Sequence, residues 1–480
     1  MSVHARNFIN GEWVDSPTVG TSSAPATGLP LGTFADGGAS EARTSIDAAR
    51  AAFTDTEWSR NRELRARALW EMAEQMEARY LELVTLLARE NGKTLDDARF
   101  EIDLTIPKLR YYAALALTDR SEAGEVKPGM YSMTLHEPAG VAAVIAPWNS
   151  PVVLAVRSFA PALAAGCTVA MKLPAQTALT NALLYEIIAD TTSLPAGVMN
   201  MFTESGNSGA PLLTSDPGVD VLSYTGSTGV GRAIMAQAAD TLKSMSLELG
   251  GKSPMIVFDD ADLDAVVPVL TKAITTFTGQ FCMTGSRILA QRGIADELRT
   301  RLIASLSAVR IGPGDDPASD MGPMIDKPNA KRVDDTIAAA ADYATILVRG
   351  GVPTEAEYAV GAYCRPALIE VVDTSTDIVQ KEVFGPVATF EVFDTEAEAI
   401  VRANATEYGL AASIWTRDVD RPLRVGREVQ AGTVWTNTWG IVHDQFEEGG
   451  YKQSGLGRLN GVRALEEFQE IKHFIHPIAP

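Results

Sequence analysis

The rhythm of hydrophobic and polar positions changes near residue 139. Before it, apolar residues recur at helical spacing, and 40–53 and about 60–90 read as helices. Ser40, with Glu41 and Asp47 close behind, suits the first helix as an N-cap. The second stops at Asn91-Gly92, a C-cap signal. The opening FINGEWV predicts a short hairpin turning at Asn10-Gly11. The Ser-, Thr-, Pro- and Gly-rich stretch 16–39 predicts an extended loop.

After 139, short apolar runs alternate with helical stretches. GVAAVIAPW, TVAMK (168–172), VMNMF (198–202), VDVLSYTG and KSMSLELG read as buried strands. Helices at about 152–165, 177–190, 208–214 and 229–240 separate them. A second alternation begins at SPMIVF near 253 and runs to about 440. Such alternation predicts an α/β chain with two doubly wound parallel sheets.

Composition narrows the function. At 480 residues the chain has room for two or three domains. Its net charge of −20 argues against nucleic acid or an anionic membrane surface as partner, because both need clustered positive charge. Three cysteines, at 167, 282 and 364, make no disulfide framework, and no Cys/His spacing suggests a metal site. No apolar run reaches the length of a membrane span and the N-terminus does not read as a signal peptide, so the cytoplasm is the expected compartment.

Five weak chemical signals remain. The turn TGSTGVG (225–231) sets Gly226 and Gly231 around Ser227 and Thr228 between a strand and a helix, where amides and a helix N-terminus suit a pyrophosphate. It is neither the dinucleotide fingerprint nor a P-loop, and Ser227 equally suits a plain N-cap. Lys172 closes TVAMK at the same sheet edge, or is a solvated lysine. Glu248, between Leu247 and Leu249, is an awkward strand residue that invites a base, or sits on an edge strand. Asn149, held between Pro147 and Pro151, offers a fixed amide donor, or is a helix cap. Cys282, in GQFCMTG, is a thiol between glycines at 279 and 285. Together they supply a nucleophile, a carboxylate base, an oxyanion donor and a nucleotide turn.

These motifs resemble the NAD(P)-dependent aldehyde dehydrogenase superfamily: PWN at 147–149, TGST at 225–228, LELGGKSP at 247–254, GQFC at 279–282, EVFGP at 382–386 and GGYKQSGLGR at 449–458, in the family's order. The resemblance implies an aldehyde dehydrogenase-like α/β fold with a small β oligomerisation arm. It divides the chain into a cofactor domain (1–118 and 139–248), a catalytic domain (249–445) and the arm (119–138 and 459–480). It implies oxidation of an aldehyde to an acid with NAD or NADP, in a homodimer or homotetramer. Cys282 becomes the nucleophile, Asn149 with the Cys282 N–H the oxyanion hole, and Glu248 the base that releases a thioester. Trp148, Lys172, Gly226, Ser227, Gly231, Leu249, Glu382 and Phe384 match cofactor positions. Ser150, Val153, Leu154, Arg157, Thr276, Phe281, Met283, Val442 and Glu448 match the substrate pocket.

The departures carry information. Ala175 replaces the glutamate that many NAD-preferring members place three residues after the matching lysine, which opens the way to NADP. EEGG, with Glu447 and Glu448, replaces PFGG, and Leu459 replaces a glutamate that serves some relatives in a proton relay. Arg157 matches an arginine found in semialdehyde dehydrogenases and in those for aromatic aldehydes, or it pairs with Glu448. The expectation is an aromatic or moderately bulky aldehyde, with carboxylate-bearing semialdehydes and betaine aldehyde as alternatives. An inactive member of the fold is disfavoured because Cys282, Glu248 and Asn149 are all present.

Overall fold

The computed structural model describes residues 3–118 and 120–478. The alternation after residue 139 folds into an eight-stranded sheet. Its order is Gly455–Leu456, Ser244–Glu248, Val221–Thr225, Val141–Ile145, Thr168–Pro174, Met199–Glu204, Asn7–Ile9 and Glu12–Val14. The five central strands are parallel, and the short outer strands join antiparallel. All five residues of Val141–Ile145 are buried, because helices cover both faces. A second, seven-stranded sheet runs Thr345–Val348, Ala367–Glu370, Val387–Phe393, Arg287–Gln291, Pro254–Val257, Ala411–Trp415 and Thr433–Thr436. Only its first strand is antiparallel to its neighbour.

The N-terminal third differs from its sequence pattern in three ways. Residues 16–39 are not a loop: Thr18–Ser23 and Pro30–Asp36 pair antiparallel, and Val3–Ala5 joins them in parallel. Their small residues bury little, so pairing rather than patterning decides the strand. The stretch 60–90 is two helices, Arg62–Ala78 and Tyr80–Glu90, broken at Arg79, whose guanidinium is drawn to Glu82 and Glu186. Ser40 is not the N-cap; the helix Ala39–Asp55 starts one residue earlier, and Glu41 accepts from the Gly38 N–H instead.

A third element stands apart. Ala123–Lys127, Met130–Pro138 and Gln469–Pro477 form a three-stranded antiparallel sheet. Residues 459–468, expected in the arm, instead pack inward: Leu459, Ala464, Leu465 and Phe468 join the core between the first sheet and its helices. Among the described residues, no helix is long and apolar enough to cross a membrane, and no group of three His, Cys, Asp or Glu is placed to hold a metal ion.

Candidate active site

The C-terminal ends of the first sheet's parallel strands face the second sheet's unit across a cavity of 310 Å³. Its wall includes Trp148, Asn149, Ser227, Glu248, Cys282 and Glu382, residues that lie up to 234 positions apart in sequence, from 148 to 382. Two glycines explain how the parts come so close. A Cβ at Gly251 would collide with the Cys282 carbonyl oxygen, and one at Gly250 with the Glu382 carboxyl. Gly279, at φ 69°, packs against the Gly385-Pro386 backbone, where any side chain would clash.

Cys282 is half-buried, and its N–H has no partner among the described residues. Burial pushes its thiol well above the ordinary range; Arg157 opposes the shift, while Glu448, Glu248 and Glu382 add to it. Asn149 is buried, and its Nδ2 donates to the Gln280 carbonyl at 3.0 Å. An amide nitrogen carries two protons, so one donor is left over. Asn91 Nδ2 donates to the Trp148 carbonyl at 2.7 Å and fixes the same segment from the other side.

Glu248 ends the strand Ser244–Glu248 and is buried, not on a solvated edge. One of its carboxyl oxygens, Oε1, has no hydrogen-bond partner. Burial lifts its pKa to about 7; Arg157 pulls it down and Glu448 pushes it up. A buried, unpartnered carboxyl oxygen is costly unless a ligand or water meets it. Such a carboxyl at about 7 is poised to take a proton near neutrality.

Arg157 and Glu448 are both buried and pair at 3.0 Å. Arg157 Nη2 also donates to Thr225 Oγ1 at 3.2 Å, on the residue registered with Glu248. Asn460 Nδ2 donates to Glu448 Oε2 at 2.9 Å, and Lys108 donates to Asn460 Oδ1 at 2.7 Å and to Asp444. Glu448 and Leu459, where the sequence departs from the family pattern, exchange backbone hydrogen bonds.

On the opposite side, Ser227 caps the helix Thr228–Ala238, accepting from the Val230 N–H. Gly226 lines the cavity, and Gly231 lets the helix pack on the Leu249 side chain. Glu382 accepts from the Gly251 N–H at 3.1 Å, and burial lifts its pKa to about 7. Trp148 and Phe384 meet edge to face at 5.5 Å. Lys172 lies outside the cavity wall and does not close its strand, which continues to Pro174.

The expected pocket is only partly assembled. Leu154 lines the cavity. Phe281 is half-buried, edge-on to Phe277 and Trp439, and lines an adjoining crevice. Met283 is not a wall: it is buried in the second core, and its carbonyl accepts from the Trp439 indole. Ser150 is also turned away, accepting from the buried Lys93 ammonium at 3.3 Å. Val442 and Thr276 stand outside the cavity wall, as does Val153, whose N–H donates to Glu101. Sequence reasoning missed the roles of Lys93, Glu101 and Asn460, and of Asn91 beyond its C-cap, because these residues meet partners distant in the chain.

The family model described as the aldehyde dehydrogenase family matches residues 13–474. Aldehyde dehydrogenase 1 of Tanacetum cinerariifolium is 37% identical over 476 residues, covering 98% of this chain and 95% of the relative. The 2-aminomuconic semialdehyde dehydrogenase of Danio rerio is 35% identical over 473 residues, covering 97% and 96%. The crystal structure of betaine aldehyde dehydrogenase from Staphylococcus aureus in complex with NAD+ superposes with a TM-score of 0.96 at 36% identity, over 99% of this chain and 95% of that one. The chain belongs to the aldehyde dehydrogenase family and is an oxidoreductase of that family.

Proposed function

We propose that the protein oxidises an uncharged aromatic or moderately bulky aldehyde to the carboxylic acid, with NAD or NADP, through a thioester on Cys282. The observation that carries the substrate class is the buried Arg157–Glu448 pair at 3.0 Å. The cation that would greet a carboxylate is already neutralised, and a buried pair is costly to separate, about 3–5 kcal/mol when one partner is lost. The same pairing occupies Glu448, and Glu447 is exposed and outside the cavity wall, so neither carboxylate is placed to receive a quaternary ammonium there.

The residues present fit a dinucleotide. Ser227 and the start of the helix Thr228–Ala238 would meet the pyrophosphate, Glu382 a ribose, and the Trp148 and Phe384 rings flank the space between. When bound, the nicotinamide supplies a hydride acceptor. The chain's own residues do the rest. The Cys282 sulfur attacks the carbonyl carbon, and the developing oxyanion faces the spare Asn149 amide proton and the Cys282 N–H. Burial favours the neutral thiol, with Arg157 opposing it, so the sulfur gives up its proton to water as it attacks. Glu248 then takes a proton from the water that attacks the thioester carbon, and the thiol leaves. In this reading the exposed Ile471, Phe474 and Ile475 of the three-stranded sheet meet a second copy, giving a homodimer or homotetramer.

An aldehyde panel tests the substrate class. kcat/KM for benzaldehydes is expected to exceed that for succinic semialdehyde and betaine aldehyde. Glu448→Gln keeps the shape and the Asn460 contact but frees Arg157. It is expected to raise the ratio of succinic semialdehyde to benzaldehyde kcat/KM about tenfold, equivalent to ~1.4 kcal/mol. A wild-type preference for the semialdehyde, or an unchanged ratio in the variant, would overturn the reading.

The cofactor is tested separately. Lys172 is an ammonium with no hydrogen bond among the described residues, and Ala175 brings no carboxylate beside it. The nearby Glu204 is committed to the N–H groups of Ser208 and Gly209, and Asp36 to Ser205. Measurable turnover with NADP is expected in steady-state kinetics alongside NAD; its complete absence would refute this.

A further inference from the structure

The two residues before GQFC, and its glycine, have an unusual backbone. Phe277 and Thr278 are left-handed, at φ 53° and 56°, and Gly279 follows at 69°. A glycine tolerates this; a β-branched threonine and a phenylalanine do not without restraint from their surroundings. The surroundings supply that restraint. The Phe277 N–H donates to the Asp97 carboxylate at 3.1 Å, and the Lys93 ammonium lies 3.3 Å from the Phe277 ring centroid. The Thr278 hydroxyl donates to the Gly322 carbonyl at 2.9 Å, and Gln280 Nε2 to the Phe277 carbonyl at 3.1 Å.

Lys93 reaches further. It is buried and paired with Glu101 at 2.5 Å. The other Glu101 oxygen accepts from the Val152 and Val153 N–H groups at 2.8 and 3.2 Å, at the start of the helix Pro151–Ala165. Asn149 lies just before that helix, and its side chain bonds back to Gln280. One short segment, residues 93 to 101, thus grips the turn that carries Cys282 and the helix start that carries Asn149.

We propose that Lys93, Asp97 and Glu101 are positioning residues that set the distance between the Cys282 sulfur and the Asn149 oxyanion donor. They touch neither substrate nor cofactor in this arrangement. The proposal rests on the reading of Cys282 as nucleophile. A group displaced by about 1 Å from its productive geometry loses on the order of a hundredfold in rate, which sets the scale of the effect.

The test is pre-steady-state kinetics of Asp97→Ala and Asp97→Asn with benzaldehyde and NAD. Asp97→Ala is expected to slow the burst of NADH about ten- to a hundredfold, with burst amplitude per folded subunit retained and KM changed less than about threefold. Asp97→Asn keeps an acceptor oxygen for the Phe277 N–H and is expected to recover most of the rate. An unchanged burst rate in folded Asp97→Ala would overturn the proposal. So would a loss of amplitude alone, because that reports fewer native molecules. Should Asp97→Ala not fold, Lys93→Arg decides: it keeps the charge but not the fit over the ring, and an unchanged burst rate counts against the proposal. Failure of the underlying reading would look different, since Cys282→Ala would then retain aldehyde oxidation.

Discussion

Cys282→Ala is expected to abolish aldehyde oxidation, by about 10⁴-fold or more in kcat, while leaving the fold and NAD binding intact. The sulfur accepts and donates no hydrogen bond among the described residues and is half-buried, so its removal leaves no buried polar group unpaired and only a small void. The two other thiols provide the control. Cys167 is buried and donates to the Phe468 carbonyl at 3.3 Å, and Cys364 is buried beside the Arg365 carbonyl. Neither lies in the cavity wall that Cys282 lines, so neither is placed to meet an aldehyde there. Cys167→Ala and Cys364→Ala should lose stability rather than kcat per folded molecule. Steady-state rates, with tryptophan fluorescence to titrate NAD, separate these outcomes; substantial turnover by Cys282→Ala would end the assignment.

The proposed nucleophile stands out in the chain because several local motifs coexist, and each has a local cause. Gly250-Gly251 follows Glu248 because side chains there would strike Glu382 and Cys282. The parallel strands were legible because burial on both faces leaves an unbroken apolar run, as in Val141–Ile145. What stayed hidden depends on partners far apart. Lys93 and Glu101 read as charges near a helix start, and nothing in their spacing announces that Glu101 will cap another helix at Val152. Met283 and Ser150 sit beside the candidate residues Cys282 and Asn149 in sequence yet face away, because neighbours along a turn or a helix start point in different directions. Arg157 had two readings that only geometry separates, and its distance from Glu448 decides for the pair.

Glu248→Gln is expected to give one burst of NADH, about one equivalent per subunit, and then to stall with Cys282 acylated. The amide matches the carboxyl in shape, so acylation, which relies on Cys282 and the oxyanion donors, continues. It accepts no proton from water, so hydrolysis of the thioester falls by about 10²- to 10⁴-fold, the usual worth of a general base. The pH dependence follows from the same group. Burial lifts the Glu248 carboxyl to about 7, with Arg157 opposing and Glu448 reinforcing the shift. The active form is the carboxylate, so deacylation rises as pH rises through that value: about a tenth of the limiting rate one pH unit below it, half at it, and a plateau above. In the glutamine variant this rise should vanish, since no titrating base remains. Stopped-flow absorbance for the burst and mass spectrometry for the acyl adduct measure both halves. Normal turnover by Glu248→Gln, or a persistent rise through neutrality in its residual hydrolysis, would move the role of base to another group, with Glu448, whose side chain also bears on the ionisation of Cys282, the next to be tested.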